Sequence, residues 1–166
     1  MRQGVFDILA VDHDRLDGLL RQATAVPGLI DRNAYDAFRS GLLRHIAMEE
    51  RILFPALLSQ GAKEQSAIVE RLHLDHAAIA ALLVPSPSAS IVSSLLSILE
   101  GHNAMEETDG GVYRLLDRLP DVELERVVGR LKATPEVPVA PYNDKPGVLE
   151  ATRRALARAG FFMKDP

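Results

Sequence analysis

Apolar residues along this chain recur at steps of three and four, the spacing of one face of an α-helix, and no segment alternates convincingly with period two. Proline and glycine divide the pattern into segments. The first spans roughly residues 4–25 and ends at "PGL", 27–29. Asp31 is placed to cap a second segment that runs to about Ser59, with Gly61 just past its end. Pro55 lies inside that segment and is expected to kink or shorten its last turn. A third segment covers roughly 62–83 and stops at "PSPSAS". Ser90 opens a fourth that reaches about Leu119, with "DGG" at 109–111 weakening its middle. A short helix follows over about 121–133, then "TPEVPVAPYNDKPG" as an extended connector, then a last short helix in "VLEATRRALARAG". The pattern predicts an all-α fold. Residues 1–119 are expected to form an antiparallel up-and-down four-helix bundle, with 120–166 a C-terminal extension of the same domain packed outside it.

The stripes carry the chemistry. They read Phe6, Leu9, His13, Leu16, Leu20, Ala23; then Tyr35, Phe38, Leu42, His45, Glu49, Ile52, Ala56; then Val69, Leu72, His76, Ile79, Leu83; then Val92, Leu95, Leu99, His102, Glu106, Asp109, Tyr113. Each is apolar except near its middle, where a histidine stands. Twice a glutamate follows that histidine four residues later, on the same face. In an antiparallel bundle the helix mid-points meet at one level, so His13, His45, His76 and His102 converge there with Glu49 and Glu106 a turn away. The remaining histidine, His73, lies one turn before His76, and a shifted third stripe would bury both.

Composition narrows the chemistry. The 166 residues are 47% hydrophobic and 25% charged, ordinary for a globular domain with a real core. With 5% aromatics and no tryptophan, that core must be mostly aliphatic. A net charge of -4 argues against nucleic acid or an anionic membrane as the main partner. The absence of cysteine excludes disulfides, thiol catalysis and thiolate-ligated zinc or iron–sulfur sites. No apolar run reaches transmembrane length. The acidic residues in "MRQGVFDILAVDHDR" make a poor signal peptide, so a cytoplasmic location is expected.

Any one of these histidines alone would read as a hydrogen-bonded core residue. The set does not. Two carboxylates and four imidazoles in one apolar layer are costly to bury without a compensating charge, and a metal cation supplies it. Imidazole and carboxylate without thiolate suit iron, manganese, zinc or copper. The donors are too many for one tetrahedral zinc and fit two ions with bridging carboxylates. Two octahedral ions offer about twelve positions; these side chains fill about eight or nine and a solvent-derived oxo or hydroxo bridge two more. Positions remain for a small exogenous ligand. Iron fits best, because open positions with nitrogen and oxygen donors suit dioxygen, peroxide or nitric oxide.

The quoted sequences "VDHDRL", "HIAMEERILFPAL", "LHLDHAAIAALL" and "HNAMEE" resemble the hemerythrin-like (HHE cation-binding) family over about residues 4–118. Ferritin-like di-iron bundles use Glu-x-x-His instead. The resemblance implies a non-haem di-iron centre, with His13, His45, His76 and His102 as terminal ligands and Glu49 and Glu106 as bridges. It implies functions ranging from carrying or sensing dioxygen and binding nitric oxide to holding iron or repairing iron centres. Two departures stand out. Oxygen-carrying hemerythrins place two histidines four residues apart on the third helix, whereas His73 and His76 are three apart; His73 either joins the set or leaves four histidines and two glutamates, as in the iron-repair branch. The double glycine after Glu106 is expected to distort the helix that carries it.

Glu50 and Glu107 follow the ligand glutamates but point about 100° away from them, toward solvent or a neighbouring helix. Asp12, Asp14 and Asp75 read as surface charges, any one of which could orient an imidazole on another helix. Tyr113 is a candidate to hydrogen-bond near the site, and Asp109 reads as a helix-end residue. Arg153, Arg154 and Arg158 form a solvated outer face; Phe161 and Phe162 should pack the last helix onto the bundle or onto a second subunit in a homodimer. Two function classes follow: a protein that binds or senses a diatomic ligand or holds iron, and a di-iron oxidoreductase acting on peroxide or nitric oxide, or an iron-centre repair factor.

Overall fold

The computed structural model describes residues 3–61 and 63–164. Ala62, where the third segment is expected to begin, lies outside the described residues, as do the outermost two residues at each end. Among the described residues the fold is all-helical, without strands: α1 (Val5–Ala23), α2 (Arg32–Met48), a π segment (Glu49–Leu53), α3 (Phe54–Leu58), α4 (Lys63–Leu82), α5 (Ala89–Glu107), α6 (Val112–Leu116), α7 (Asp121–Lys132) and α8 (Pro146–Arg158). No described helix is long and apolar enough to cross a membrane.

The helix ends follow local chemistry. Asp31 caps α2 as expected, its side chain accepting from the N–H groups of Asn33 and Ala34. Gly61 follows α3 with φ +76, a left-handed conformation that glycine adopts without steric cost. The fourth long helix starts one residue earlier than expected, at Ala89, because the Ser88 hydroxyl accepts from Ile91 N–H. Pro55 does not end its helix, since α3 runs on to Leu58. The chain absorbs it just downstream of a π segment, in which Phe54 N–H bonds to the Glu49 carbonyl. The Arg51 carbonyl, which a regular helix would pair with residue 55, accepts from Arg130 on α7.

Two apolar clusters make the core. One gathers the C-terminal half of α1, the N-terminal half of α2, the end of α4 and the start of α5, with Leu16, Phe38, Leu82 and Leu95 among its members. The other takes the opposite ends, with Leu9, Leu53, Phe54 and Leu72. The histidines and glutamates lie between them. The C-terminal segments join both: Leu124, Val127 and Leu131 of α7 enter the second cluster, Leu156 of α8 and Ala159 the first. The connector is pinned by Tyr142, which donates to Asp36 and carries the Arg39 guanidinium 4.2 Å above its ring. Phe161, past the end of α8, packs against the first cluster with its N–H donating to the Leu156 carbonyl, but Phe162 does not; it is exposed.

The double glycine does more than weaken the fourth segment: it ends it. After α5 stops at Glu107, the chain turns through Thr108–Gly111 and restarts as α6, so the expected continuous helix to Leu119 is two helices. Gly111 makes the turn possible by close approach. A Cβ there would lie 2.5 Å from the Glu106 carbonyl oxygen, whereas one on Gly110 would meet nothing within 4 Å. Asp117, just past α6, accepts from Val5 N–H at the start of α1. The new helix is thereby tied to the first. Gly111→Ala is expected to destabilise the protein by about 1–3 kcal/mol, the scale of an overpacked site. Gly110→Ala should stay within about 0.5 kcal/mol. Denaturant unfolding of the two variants checks this.

Candidate metal centre

Each long helical run brings one histidine to the layer between the clusters. His13, His45, His76 and His102 are buried, and so are Glu49 and Glu106. The six form two groups. The donor atoms of His13, His45, Glu49 and Glu106 lie within 4.8 Å of one another, and so do those of Glu49, His76, His102 and Glu106. Both glutamates belong to both groups, and each divides its two oxygens between them. Glu49 Oε1 is 3.3 Å from His45 Nε2, and its Oε2 is 3.1 Å from His76 Nε2. Glu106 Oε2 is 3.5 Å from His13 Nε2, and its Oε1 is 3.3 Å from His102 Nε2.

The Nε2 atoms point inward because the opposite side of every ring is held. His13 Nδ1 contacts Glu107 at 2.5 Å, His45 Nδ1 contacts Asp12 at 2.8 Å, His76 Nδ1 contacts Glu50 at 2.7 Å and His102 Nδ1 contacts Asp75 at 3.4 Å. These contacts form a closed ring: α1 orients the histidine of α2, the π segment that of α4, α4 that of α5, and α5 that of α1. The outer carboxylates are anchored in turn, Asp12 by Arg15 at 2.8 Å and Asp75 by Arg71 at 2.5 Å. With Nδ1 donating to a carboxylate, Nε2 presents a lone pair to the centre.

The donor set therefore calls for positive charge. In the second group, His76 Nε2 and His102 Nε2 are 3.2 Å apart, beside Glu49 Oε2 and Glu106 Oε1, both buried without a hydrogen-bond donor. Four acceptor atoms facing one another are what a cation fits. Protons are the competing occupant. Burial depresses the His45 pKa, but the Glu49 carboxylate and the hydrogen bond to Asp12 outweigh it and raise it to about 10. Burial acts likewise on His102, where Glu106 and Asp75 raise it to about 10. Burial pushes the Glu49 pKa up, yet His45 and His76 hold it well below the usual carboxylate range.

Among the other candidates, His73 joins neither group. It is half-exposed, with Nδ1 2.8 Å from Glu50 and its ring edge-on to Phe54. A step of three residues sets it about 60° around α4 from His76, and the packing of α4 leaves it at the surface beside Glu50. Asp14 and Asp109 are exposed, as expected. The orienting roles of Asp12 and Asp75 were open in the sequence; Glu50 and Glu107 take the neighbouring helix rather than solvent, the second of the two expectations for them. The doubled "MEE" after each His-x-x-x-Glu histidine was the available signal. Tyr113 comes closer than expected: its hydroxyl touches donors of the first group, 2.5 Å from Glu49 Oε1 and 3.1 Å from Glu106 Oε2.

The helical fold and the two buried His/Glu groups define a metal-binding protein. The family described as the hemerythrin HHE cation binding domain matches residues 4–109, more than half of the chain, and the chain belongs to that family. No curated protein and no solved structure matches it.

Two predictions follow from the ring and its charges. Glu50→Ala and Glu107→Ala, both at partly exposed positions, should weaken metal affinity about 10–100-fold while the helix content is retained. Competition against a chelator measures it. Because the folded-state values of His45 and His102 lie above the ordinary 6.5, native metal-free protein binds more protons than the unfolded chain. Its stability should be greatest between about pH 4.5, below which the depressed Glu49 carboxylate loses its contribution, and pH 6.5, and fall as pH rises toward about 10. Metal affinity should rise over the same window, since metal displaces those protons. Denaturation and metal-binding titrations across that range test both slopes.

Proposed function

We propose that this protein holds two iron ions and uses them to bind or sense a small ligand such as dioxygen or nitric oxide. The observation that carries this is the sharing of Glu49 and Glu106 by two four-donor groups, each carboxylate turning one oxygen to either group. His13 and His45 would complete one iron position, His76 and His102 the other, and both glutamates would bridge. Imidazole and carboxylate donors without thiolate favour iron over softer alternatives. Iron, when bound, supplies reversible electron exchange with such a ligand. The frame is proposed to be an antiparallel up-and-down bundle of the four long helical runs. The meeting of alternate helix halves in each apolar cluster supports this. The entry of α7 and α8 residues into both clusters likewise supports a C-terminal extension belonging to the same domain.

A binding role is favoured over an enzyme by the space beside the layer. A cavity of about 230 Å³ reaches His13 and is walled by Leu16, Leu20, Phe38, Leu42 and Leu99, with Asp17, Glu100 and Asn103 among its polar lining. Apolar walls admit a diatomic molecule and offer few groups to position a larger substrate. Iron analysis with optical spectra of the anaerobic and oxygenated protein tests the proposal. Two irons per chain and a reversible visible band on exposure to dioxygen or nitric oxide are expected; no bound iron would overturn it. Leu99→Trp should slow ligand association by about tenfold or more, as a filled cavity blocks approach, with iron content unchanged.

A further inference from the structure

We propose that Tyr113 is itself a metal ligand, through its phenolate oxygen, in the group formed by His13, His45, Glu49 and Glu106. This assignment rests on the dinuclear centre proposed above and adds a donor that neither the His-x-x-x-Glu pattern nor the shared carboxylates require.

The geometry around the hydroxyl points to it. The oxygen lies 2.5 Å from Glu49 Oε1, 3.1 Å from Glu106 Oε2, 3.2 Å from His45 Nε2 and 3.3 Å from His13 Nε2. These are the donor atoms of one whole group. Nδ1 of His45 and of His13 is spent on Asp12 and Glu107, so once metal displaces the protons held in the layer both Nε2 atoms face Tyr113 as lone pairs. A phenol has one proton to donate, and in that state it meets four acceptors, the two carboxylate oxygens and the two ring nitrogens. Hydrogen bonding satisfies one of them and leaves the rest opposed. Neighbouring donors around a single ion, each about 2.1 Å from it and at right angles, are about 3.0 Å apart, and the four contacts scatter about that spacing.

The backbone holds the ring there. Tyr113 is fully buried in the second apolar cluster, between Val112 and Leu116, which are also buried. Its helix begins only because Gly111 passes against the carbonyl of Glu106, a residue of the same site. A continuous α5 would carry residue 113 nearly two turns beyond Glu106. The break instead folds it back. The cavity at His13 is lined by first-cluster residues, so tyrosine and cavity flank the layer from opposite ends.

Coordination makes the two groups unequal. The first has five protein donors, three of them anionic; the hydrogen bonds of the described residues bring no fifth side chain to the second. On loading, the phenol O–H bond breaks as the oxygen–metal bond forms. The proton leaves to solvent, and no oxidation state changes in that step.

The full chain is loaded with iron and oxidised to the ferric state, iron per chain is measured, and resonance Raman spectra are recorded within the visible band. The expected result is two irons per chain with phenolate ring modes that shift on ring deuteration of tyrosine and vanish in Tyr113→Phe. The chain has three tyrosines, so the double variant Tyr35→Phe with Tyr142→Phe leaves Tyr113 as the sole source and should retain the modes, whether or not Tyr113→Phe folds. Two irons per chain without tyrosine modes in wild type would overturn the assignment and leave Tyr113 a buried hydrogen-bond donor. Loss of the modes in the double variant alone would overturn it too. Absence of bound iron would overturn the dinuclear centre and this assignment together.

Discussion

The structure turns on the way two buried carboxylates are shared. Glu49 and Glu106 sit with no solvent exposure between two apolar clusters, each with one oxygen toward either pair of histidines. Carboxylates so placed are stable only beside positive charge. Without metal, protons on the imidazoles supply it, which is why His45 and His102 hold theirs to about pH 10. With metal, cations take the same place. The four long helices are thus held at their mid-points by whichever cation occupies the layer, and at their ends by aliphatic packing.

Around that centre a second constraint operates. Each histidine must show one nitrogen inward, and each does so because a carboxylate on the neighbouring helix takes the other. The contacts close into a ring through all four helical runs, so rotating any one helix misaligns two histidines, its own and the next. Asp12 and Asp75 are themselves fixed by Arg15 and Arg71. Arg71 in turn lies over Phe161, past the end of α8. The C-terminal segment reaches the centre in this way, through packing and charge rather than by donating a ligand.

The irregular pieces of the fold lie at the glutamates. The π segment begins at Glu49, and the Thr108–Gly111 turn follows directly on Glu107. Regular helices would present one residue per turn to the layer. From the π segment Glu49 reaches the centre and Glu50 reaches His76. The turn lets Glu106 and Tyr113 approach the same donors from two helices.

The six buried donors were legible in the sequence, because a polar residue in the middle of an apolar stripe is visible at helical spacing and four such stripes repeat it. The helix caps at Asp31 and Gly61 were legible for the same reason, being set by local backbone chemistry. Which carboxylate faces which imidazole was not, since each pair joins different helices and depends on how those helices are rotated. Glu50 and Glu107 could face solvent or a neighbouring helix when read from their own helices, and the packing decided for the neighbour. His73 and His76 were equivalent by spacing; the packing of α4 against α3 turned one inward and left the other beside Glu50. The double glycine announced a break but not its direction. That Tyr113 returns to the donors rather than extending away from them follows from Gly111 seating on the Glu106 carbonyl and from Asp117 capping α1. Periodicity along one helix is a property of the chain; the meeting of side chains from different helices is decided only when the helices pack.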